Sequence, residues 1–205
     1  MKIGIMGGTF DPIHMGHLIV AEAVRMALEL DKVLFIPAGE PWMKTDRQIA
    51  GASHRVEMVR LAIESNPFFQ LSTIEIEHPG WTYTVDTLEQ LSKDFDNETR
   101  LFLLIGWDGL MNMPKWKAPY RISKMATLVT FPRPGVPEPD ISVLEESMPG
   151  LSERMIKLDG PCIEISSTDI RERLAEGRSV RYLVPAEVER YISAQGLYKN
   201  RRKPD

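Results

Sequence analysis

The run GGTFDPIHMGH, from Gly7 to His17, constrains this chain more than any other stretch. It follows a short apolar strand pattern, Lys2-Ile3-Gly4-Ile5-Met6, and leads directly into an amphipathic helix pattern from Leu18 to Glu29. Paired glycines, a proline-controlled bend and two histidines therefore stand where a strand hands over to a helix N-terminus. Such a terminus presents unpaired backbone N–H groups and a partial positive charge, which together attract phosphate. Histidines at i and i+3 share a helix face. The run reads as a grip for a polyphosphate.

Strand and helix patterns go on alternating along the chain. Val33 to Ile36 is a second apolar run, bounded by Pro37, and a long loop rich in Pro, Gly and charge spans Ala38 to Ile49. A helix is expected next, N-capped by Ser53, with Val56, Val59 and Ile63 on one face. Leu71 to Glu77 alternates like a half-exposed strand, and another helix begins near Thr84 with Val85, Leu88 and Leu91 inward. Leu101 to Ile105, ending at Gly106, is the strongest buried-strand pattern. Leu128 to Phe131 is a further strand, closed by Pro132-Arg133-Pro134-Gly135, and a strand is expected around Ile163 to Ile165. Two helices should follow, the second starting near Pro185 in its first turn and ending at Gly196. Residues 136–153 show no clear pattern.

The alternation predicts an α/β fold, with a Rossmann-like, open and mostly parallel sheet, helices on both faces, and a small C-terminal helical subdomain. A single domain over 1–198 is expected, its helical part at 166–198, followed by a flexible tail at 199–205. No stretch approaches the roughly 20 apolar residues of a membrane span, and the N-terminus MKIGIMGG has no signal-peptide pattern. A net charge of −4 argues against a nucleic-acid partner. The only basic cluster, Lys199 to Lys203, reads as a solvated terminus. The single cysteine, Cys162, excludes an internal disulfide and suits the cytoplasm. It lies in the alternating run Pro161 to Ile165, which predicts a buried strand thiol. No G-x-G-x-x-G follows any predicted strand, which counts against a dehydrogenase.

Four constellations carry chemistry. His14 and His17 are read as phosphate contacts rather than metal ligands, because no third ligand of suitable type is evident nearby. Gly7 and Gly8 permit close backbone approach to a nucleotide, while Thr9 and Phe10 would bring a hydroxyl and a backbone N–H to the phosphates. The second constellation is Ser166-Ser167-Thr168-Asp169-Ile170-Arg171. Ser166 and Asp169 form a capping-box pattern, and a capped helix start is again an anion site. Arg171, one turn in, adds a planar donor fork. Third, Gly106-Trp107-Asp108 stands at the carboxyl end of the strongest strand, where open α/β sheets bind ligands, and Asp108 could accept from a ribose or a base. Fourth, Trp116 stands in the Pro114-Lys115-Trp116-Lys117 loop, where its face would attract a pyridinium, and Thr84 opens a helix whose backbone donors suit a carboxylate.

GGTFDPIHMGH resembles the signature of the nucleotidyltransferase superfamily. On its own it would equally open a pantetheine-phosphate adenylyltransferase or a glycerol-phosphate cytidylyltransferase. Taken with HRVEM (His54 to Met58), YTVDT (Tyr83 to Thr87), IGWD, PKW, PRPG (Pro132 to Gly135), ISSTDIRERL (Ile165 to Leu174) and YISAQGLY (Tyr191 to Tyr198), the order resembles the bacterial nicotinate-nucleotide adenylyltransferases over essentially the whole chain.

That resemblance implies adenylyl transfer from ATP to nicotinate mononucleotide, giving deamido-NAD and pyrophosphate. It implies His14, His17 and Arg171 as catalytic residues, and Gly7, Gly8, Thr9, Phe10, Gly106, Asp108, Arg133, Ser166, Ser167 and Thr168 as ATP-binding residues. Lys44, Thr84 and Trp116 would hold the nicotinate mononucleotide. Mg²⁺ is expected to bridge substrate phosphates without a protein cage. ATP and nicotinate mononucleotide are the expected partners, with neither nucleic acid nor membrane, and homo-oligomerisation is left open. The chain departs from many relatives at Trp107, at Lys117 and at Pro41-Trp42-Met43-Lys44.

Overall fold

The computed structural model describes residues 1–39, 49–96 and 98–199. Six strands form one sheet: β1 (Lys2–Gly8), β2 (Lys32–Pro37), β3 (Phe69–Leu71), β4 (Arg100–Gly106), β5 (Thr127–Phe131) and β6 (Met155–Lys157). The order is β3-β2-β1-β4-β5-β6, and every neighbouring pair is parallel. Parallel strands are covered on both faces and so run continuously apolar; Leu101 to Ile105 of β4 are all buried.

Alternate strand residues divide between two cores. Met6, Val33, Phe35, Phe102 and Leu104 face helices α1 (Met15–Leu28) and α2 (Ala52–Ile63). Helices α8 (Ser167–Ala175) and α9 (Ala186–Gln195) bury Ile170, Val188 and Ile192 in that same core. Ile3, Ile5, Leu34, Leu103 and Ile105 face the other way. That side is covered by α4 (Thr84–Asp94), α5 (Trp107–Asn112), α6 (Pro119–Met125) and α7 (Ile141–Ser147). Along α4, Val85, Leu88 and Leu91 recur at helical spacing and are buried. Each such side chain contributes roughly 1.5–3 kcal/mol by leaving water.

Several local expectations are corrected. Helix α2 is N-capped by Gly51, so Ser53 lies inside its first turn instead of capping it. Ile74–Glu77 is a single helical turn, α3, and not a strand. Pairing with β2 ends as Ser72 N donates to Phe35 O, and Ile76 N and Glu77 N then both donate to Thr73 O. The alternating glutamates misled because Glu75 turns inward, where its carboxylate accepts from Thr82 Oγ1 (3.0 Å) and Thr87 Oγ1 (2.8 Å).

The edge strand is Met155–Lys157, and residues 158–166 are irregular. Leu158 N still donates to Thr130 O, but Pro161 has no N–H with which to extend a ladder. The alternation at 161–165 is genuine in burial, with Ile163 and Ile165 half-buried, yet it places Cys162 outward. The expected buried thiol is exposed. Pro185 is the N-cap of α9 and lies outside its first turn, whereas Gly196 ends that helix in the left-handed region as expected (φ 63°). Within 136–153, Asp140 caps α7 by accepting from Ser142 N at 3.0 Å, and Leu144, Met148 and Leu151 are buried.

Candidate active site at the carboxyl ends of the strands

Strand order reverses between β1 and β4, and a crevice opens beyond the carboxyl ends of strands at such a point. Two adjoining clefts occupy it, of about 370 Å³ and 500 Å³. Gly8, Thr9, His17 and Arg133 line both. The larger cleft adds Phe10, His14, Ser166, Ser167, Thr168 and Arg171, and is chiefly polar. The smaller adds Gly7, Gly106, Asp108, Thr84 and Trp116. The fold thus gathers into two neighbouring spaces all the predicted residues that it describes. Lys44, and with it the stretch Pro41-Trp42-Met43-Lys44, lies outside the described residues.

The β1–α1 turn is tightly built. Phe10 adopts a left-handed backbone (φ 50°), which costs about 1–2 kcal/mol, and its ring is 2% exposed in the core. That ring meets His17 edge-on, with centroids 5.1 Å apart. His14 is the N-cap of α1, and its backbone N–H donates to His17 Nδ1 at 3.2 Å. Because Nδ1 accepts, the neutral His17 ring carries its proton on Nε2 and is a donor there. The two imidazoles stack with centroids 3.7 Å apart. Burial, assisted by the positive charge of Arg133, lowers the pKa of His14 from 6.5 to about 4. At neutral pH His14 is an uncharged ring.

Helix α8 closes the other side. Ser166 Oγ caps it by accepting from Asp169 N at 3.1 Å. The reciprocal half of the expected capping box is replaced, since the Asp169 carboxylate pairs with Arg173 at 2.8 Å. Ser167 Oγ donates to Pro12 O at 2.9 Å. Arg171 donates through Nη1 to Asp11 O (2.7 Å) and through Nη2 to Thr168 Oγ1 (3.2 Å). The C-terminal anion site is therefore bonded directly to the N-terminal one. The polar cleft carries two arginines, Arg133 and Arg171, an arrangement that complements a polyphosphate.

The smaller cleft is built from β4, β5 and α4. Gly106 lets the Asp108 and Arg133 side chains lie close to the strand end, since a Cβ there would come within 2.8 Å of Asp108 Oδ1 and 2.9 Å of Arg133 Cγ. Arg133 Nε lies 3.6 Å from Asp108 Oδ1. Thr84 is the first residue of α4, next to the N-cap Tyr83, and both residues line the cleft. Trp116 presents a buried Nε1–H with no hydrogen-bond partner among the described residues. Lys117 Nζ pairs with Asp86 Oδ2 at 2.8 Å and sits 4.6 Å over the Tyr83 ring, making a charged rim. Trp107 lines neither cleft and instead takes Lys157 Nζ over its ring at 5.6 Å.

Four further residues support these walls without having been singled out in the sequence: Asp11, Arg55, Glu75 and Tyr198. Asp11 and Arg55 are buried, at 5% and 3% exposure, and both lie within quoted motifs. Tyr198 closes the YISAQGLY segment, and its hydroxyl reaches Asp11. Glu75 lines the smaller cleft, where burial raises its pKa against the opposing effect of the Thr87 and Thr82 hydrogen bonds. Its signal was hidden by the alternation that imitated a strand. Among the described residues, no group of three or more His, Cys, Asp or Glu side chains could hold a metal ion.

A parallel sheet with a glycine-rich turn and paired basic walls at its switch point defines a nucleotide-binding α/β protein. Residues 5–173 match the cytidylyltransferase-like family. A Probable nicotinate-nucleotide adenylyltransferase from Roseiflexus sp. (strain RS-1) is 50% identical over 197 residues, covering 96% of this chain and 98% of that one. One from Dehalococcoides mccartyi (strain ATCC BAA-2266 / KCTC 15142 / 195) is 45% identical over 198 residues, covering 97% of each. The chain belongs to the cytidylyltransferase-like family and, within it, to the nicotinate-nucleotide adenylyltransferases. Its fold is also that of Plasmodium falciparum nicotinic acid mononucleotide adenylyltransferase complexed with NaAD, with a TM-score of 0.78 at 20% identity, over 96% of this chain and 97% of that one.

Proposed function

We propose that the protein transfers the adenylyl group of ATP to nicotinate mononucleotide, forming deamido-NAD and pyrophosphate. The observation that carries this reading is the pair of clefts meeting at Gly8, Thr9, His17 and Arg133. The polar cleft suits a triphosphate, and the other offers Trp116 and the start of α4 to a pyridine carboxylate. Relatives at 45–50% identity bear the matching name.

The acceptor phosphate is already anionic and needs no strong base. One of its oxygens attacks the α-phosphorus of ATP in line, the bond from that phosphorus to the bridging oxygen breaks, and pyrophosphate leaves toward His17, Ser167, Thr168 and Arg171. Alignment and charge stabilisation supply the catalysis. Mg²⁺ would be held by the phosphates of ATP and by water, and would supply charge neutralisation there. In this reading the ATP contacts are Gly7, Gly8, Thr9, Phe10, Gly106, Asp108, Arg133 and Ser166 to Thr168, and the acceptor contacts are Thr84 and Trp116. The exposed, unpaired Cys162 agrees with a cytoplasmic setting, and no described helix is long and apolar enough to cross a membrane.

Pyrophosphate release tests the reading, with ATP or CTP supplied against nicotinate mononucleotide, its amide, 4′-phosphopantetheine and glycerol 3-phosphate. ATP with the acid should react fastest. An amide NH₂ set against backbone donors leaves a donor unpaired, at about 1–3 kcal/mol, so the amide should be roughly ten- to a hundredfold slower. Equal rates for acid and amide would refute the pocket assignment, and turnover only with another acceptor would refute the function.

A further inference from the structure

We propose that Arg55 is a positioning residue, holding the ATP-side turn and the acceptor-side wall at the separation that adenylyl transfer requires. The proposal rests on the functional reading above. Arg55 belongs to α2 and lines neither cleft, yet it is only 3% exposed. Among the described residues its guanidinium makes four hydrogen bonds, all to backbone carbonyls: Nε to Ala50 (3.1 Å), Nη1 to Thr9 (3.0 Å) and Ala38 (2.7 Å), and Nη2 to Gly39 (3.1 Å).

Those carbonyls belong to three separate segments. Thr9 follows β1 and lines both clefts, whereas Ala38 follows β2 and lines the acceptor cleft. Ala50 directly precedes the helix that carries Arg55. Among the described residues Arg55 forms no ion pair within 4.0 Å. Asp11 and Glu75 compensate its charge from a distance, one beside the polar cleft and one beside the acceptor cleft. Glu75 also braces Gly39, which packs so closely on the Glu75 carbonyl that no side chain would fit there.

A buried cation held by neutral carbonyls is a costly way to fill a core. A fork of five fixed donors is, however, suited to locking three strands of backbone at set distances. In-line displacement is sensitive to errors of about 1 Å in the placement of its two reactants. Loss of the fork should therefore degrade alignment more than the binding of either nucleotide.

The test compares wild type with Arg55→Lys, which keeps the charge but cannot span all four carbonyls. The measurements are kcat, KM for ATP, KM for nicotinate mononucleotide, and the folded fraction by urea titration. The expected result is a kcat at least roughly tenfold lower with both KM values within about threefold. Unchanged kcat with reduced stability overturns the proposal, as does a loss confined to one KM. Arg55→Ala supplies a second reading: guanidinium at millimolar concentration should restore turnover and methylammonium should not. An equal response to both ions overturns the proposal, as does failure of both variants to fold in the presence of both nucleotides. Wild-type turnover in the same assay tests the functional reading separately, and the Arg55 comparison is made with whichever acceptor that enzyme uses.

Discussion

The Tyr198 hydroxyl donates a 2.6 Å hydrogen bond to Oδ1 of Asp11, across 187 positions of sequence. Burial and the adjacent carboxylate raise the pKa of the phenol, so it remains a donor. Asp11 Oδ1 also accepts from Ala50 N, and its main-chain oxygen accepts from Arg171. Tyr198→Phe removes one bond to a buried carboxylate and leaves the others. A loss of about 1.5–3 kcal/mol is expected in urea unfolding, with KM for ATP rising more than KM for the acceptor. An unchanged unfolding midpoint would count against this role.

His17→Ala should separate catalysis from folding. The ring accepts a backbone hydrogen bond from His14 N at the start of α1, a capping contact worth about 0.5–2 kcal/mol. His17 lines both clefts, and a donor at Nε2 belongs to the class of group whose removal costs roughly 10²–10³ in kcat. A folded protein with turnover depressed by that factor is expected, measured by single-turnover pyrophosphate release. Near-normal rates would remove His17 from the mechanism.

Arg171→Lys keeps the positive charge and loses the fork. The wild-type side chain bonds Asp11 O and Thr168 Oγ1 at once, and this fixes its direction toward the cleft. A lysine makes a single point contact. Hydrogen bonds to charged groups are worth about 1.5–3 kcal/mol, so kcat/KM for ATP should fall roughly ten- to a hundredfold. Retention of full kcat/KM would show that charge alone suffices.

The buried His14 should leave a signature in acid. Its folded-state pKa, about 4, lies below its unfolded value of 6.5, so the unfolded chain takes up a proton first as pH falls. The stability at stake is fully present above pH 6.5 and is lost between 6.5 and about 4. It amounts to about 3 kcal/mol. The stability difference between wild type and His14→Asn, measured by urea unfolding, should shrink by about that amount from pH 7 to pH 4. A difference independent of pH would contradict the burial argument.

The residues legible in advance were those whose chemistry follows from local pattern. Gly7 to His17 and Ser166 to Arg171 each sit at a strand-to-helix or loop-to-helix junction, where type and spacing alone imply an anion site. Val85, Leu88 and Leu91 displayed their buried face as a period. What escaped were residues defined by partners distant in sequence. Arg55 is defined by the carbonyls of Thr9, Ala38 and Gly39, which reach it from 46, 17 and 16 positions away. Glu75 looked like the polar half of a strand, because alternation does not reveal which side carries the hydroxyls of Thr82 and Thr87. Cys162 failed for a related reason: alternation does fix a face, but no neighbouring strand was there to make it interior.

The bonds that knit α8 and the C-terminus to the first turn span 155, 160 and 187 positions of sequence. Contacts so remote must close large loops before they yield any stabilisation, and they consolidate late as a chain folds. The sheet can therefore assemble while its polar cleft still stands open. Recovery of activity after dilution from denaturant should lag behind recovery of secondary structure, and a chain severed beyond Gln195 would keep all six strands yet lose the tyrosine that anchors Asp11. Catalysis in this protein is a stricter reporter of complete folding than its circular dichroism.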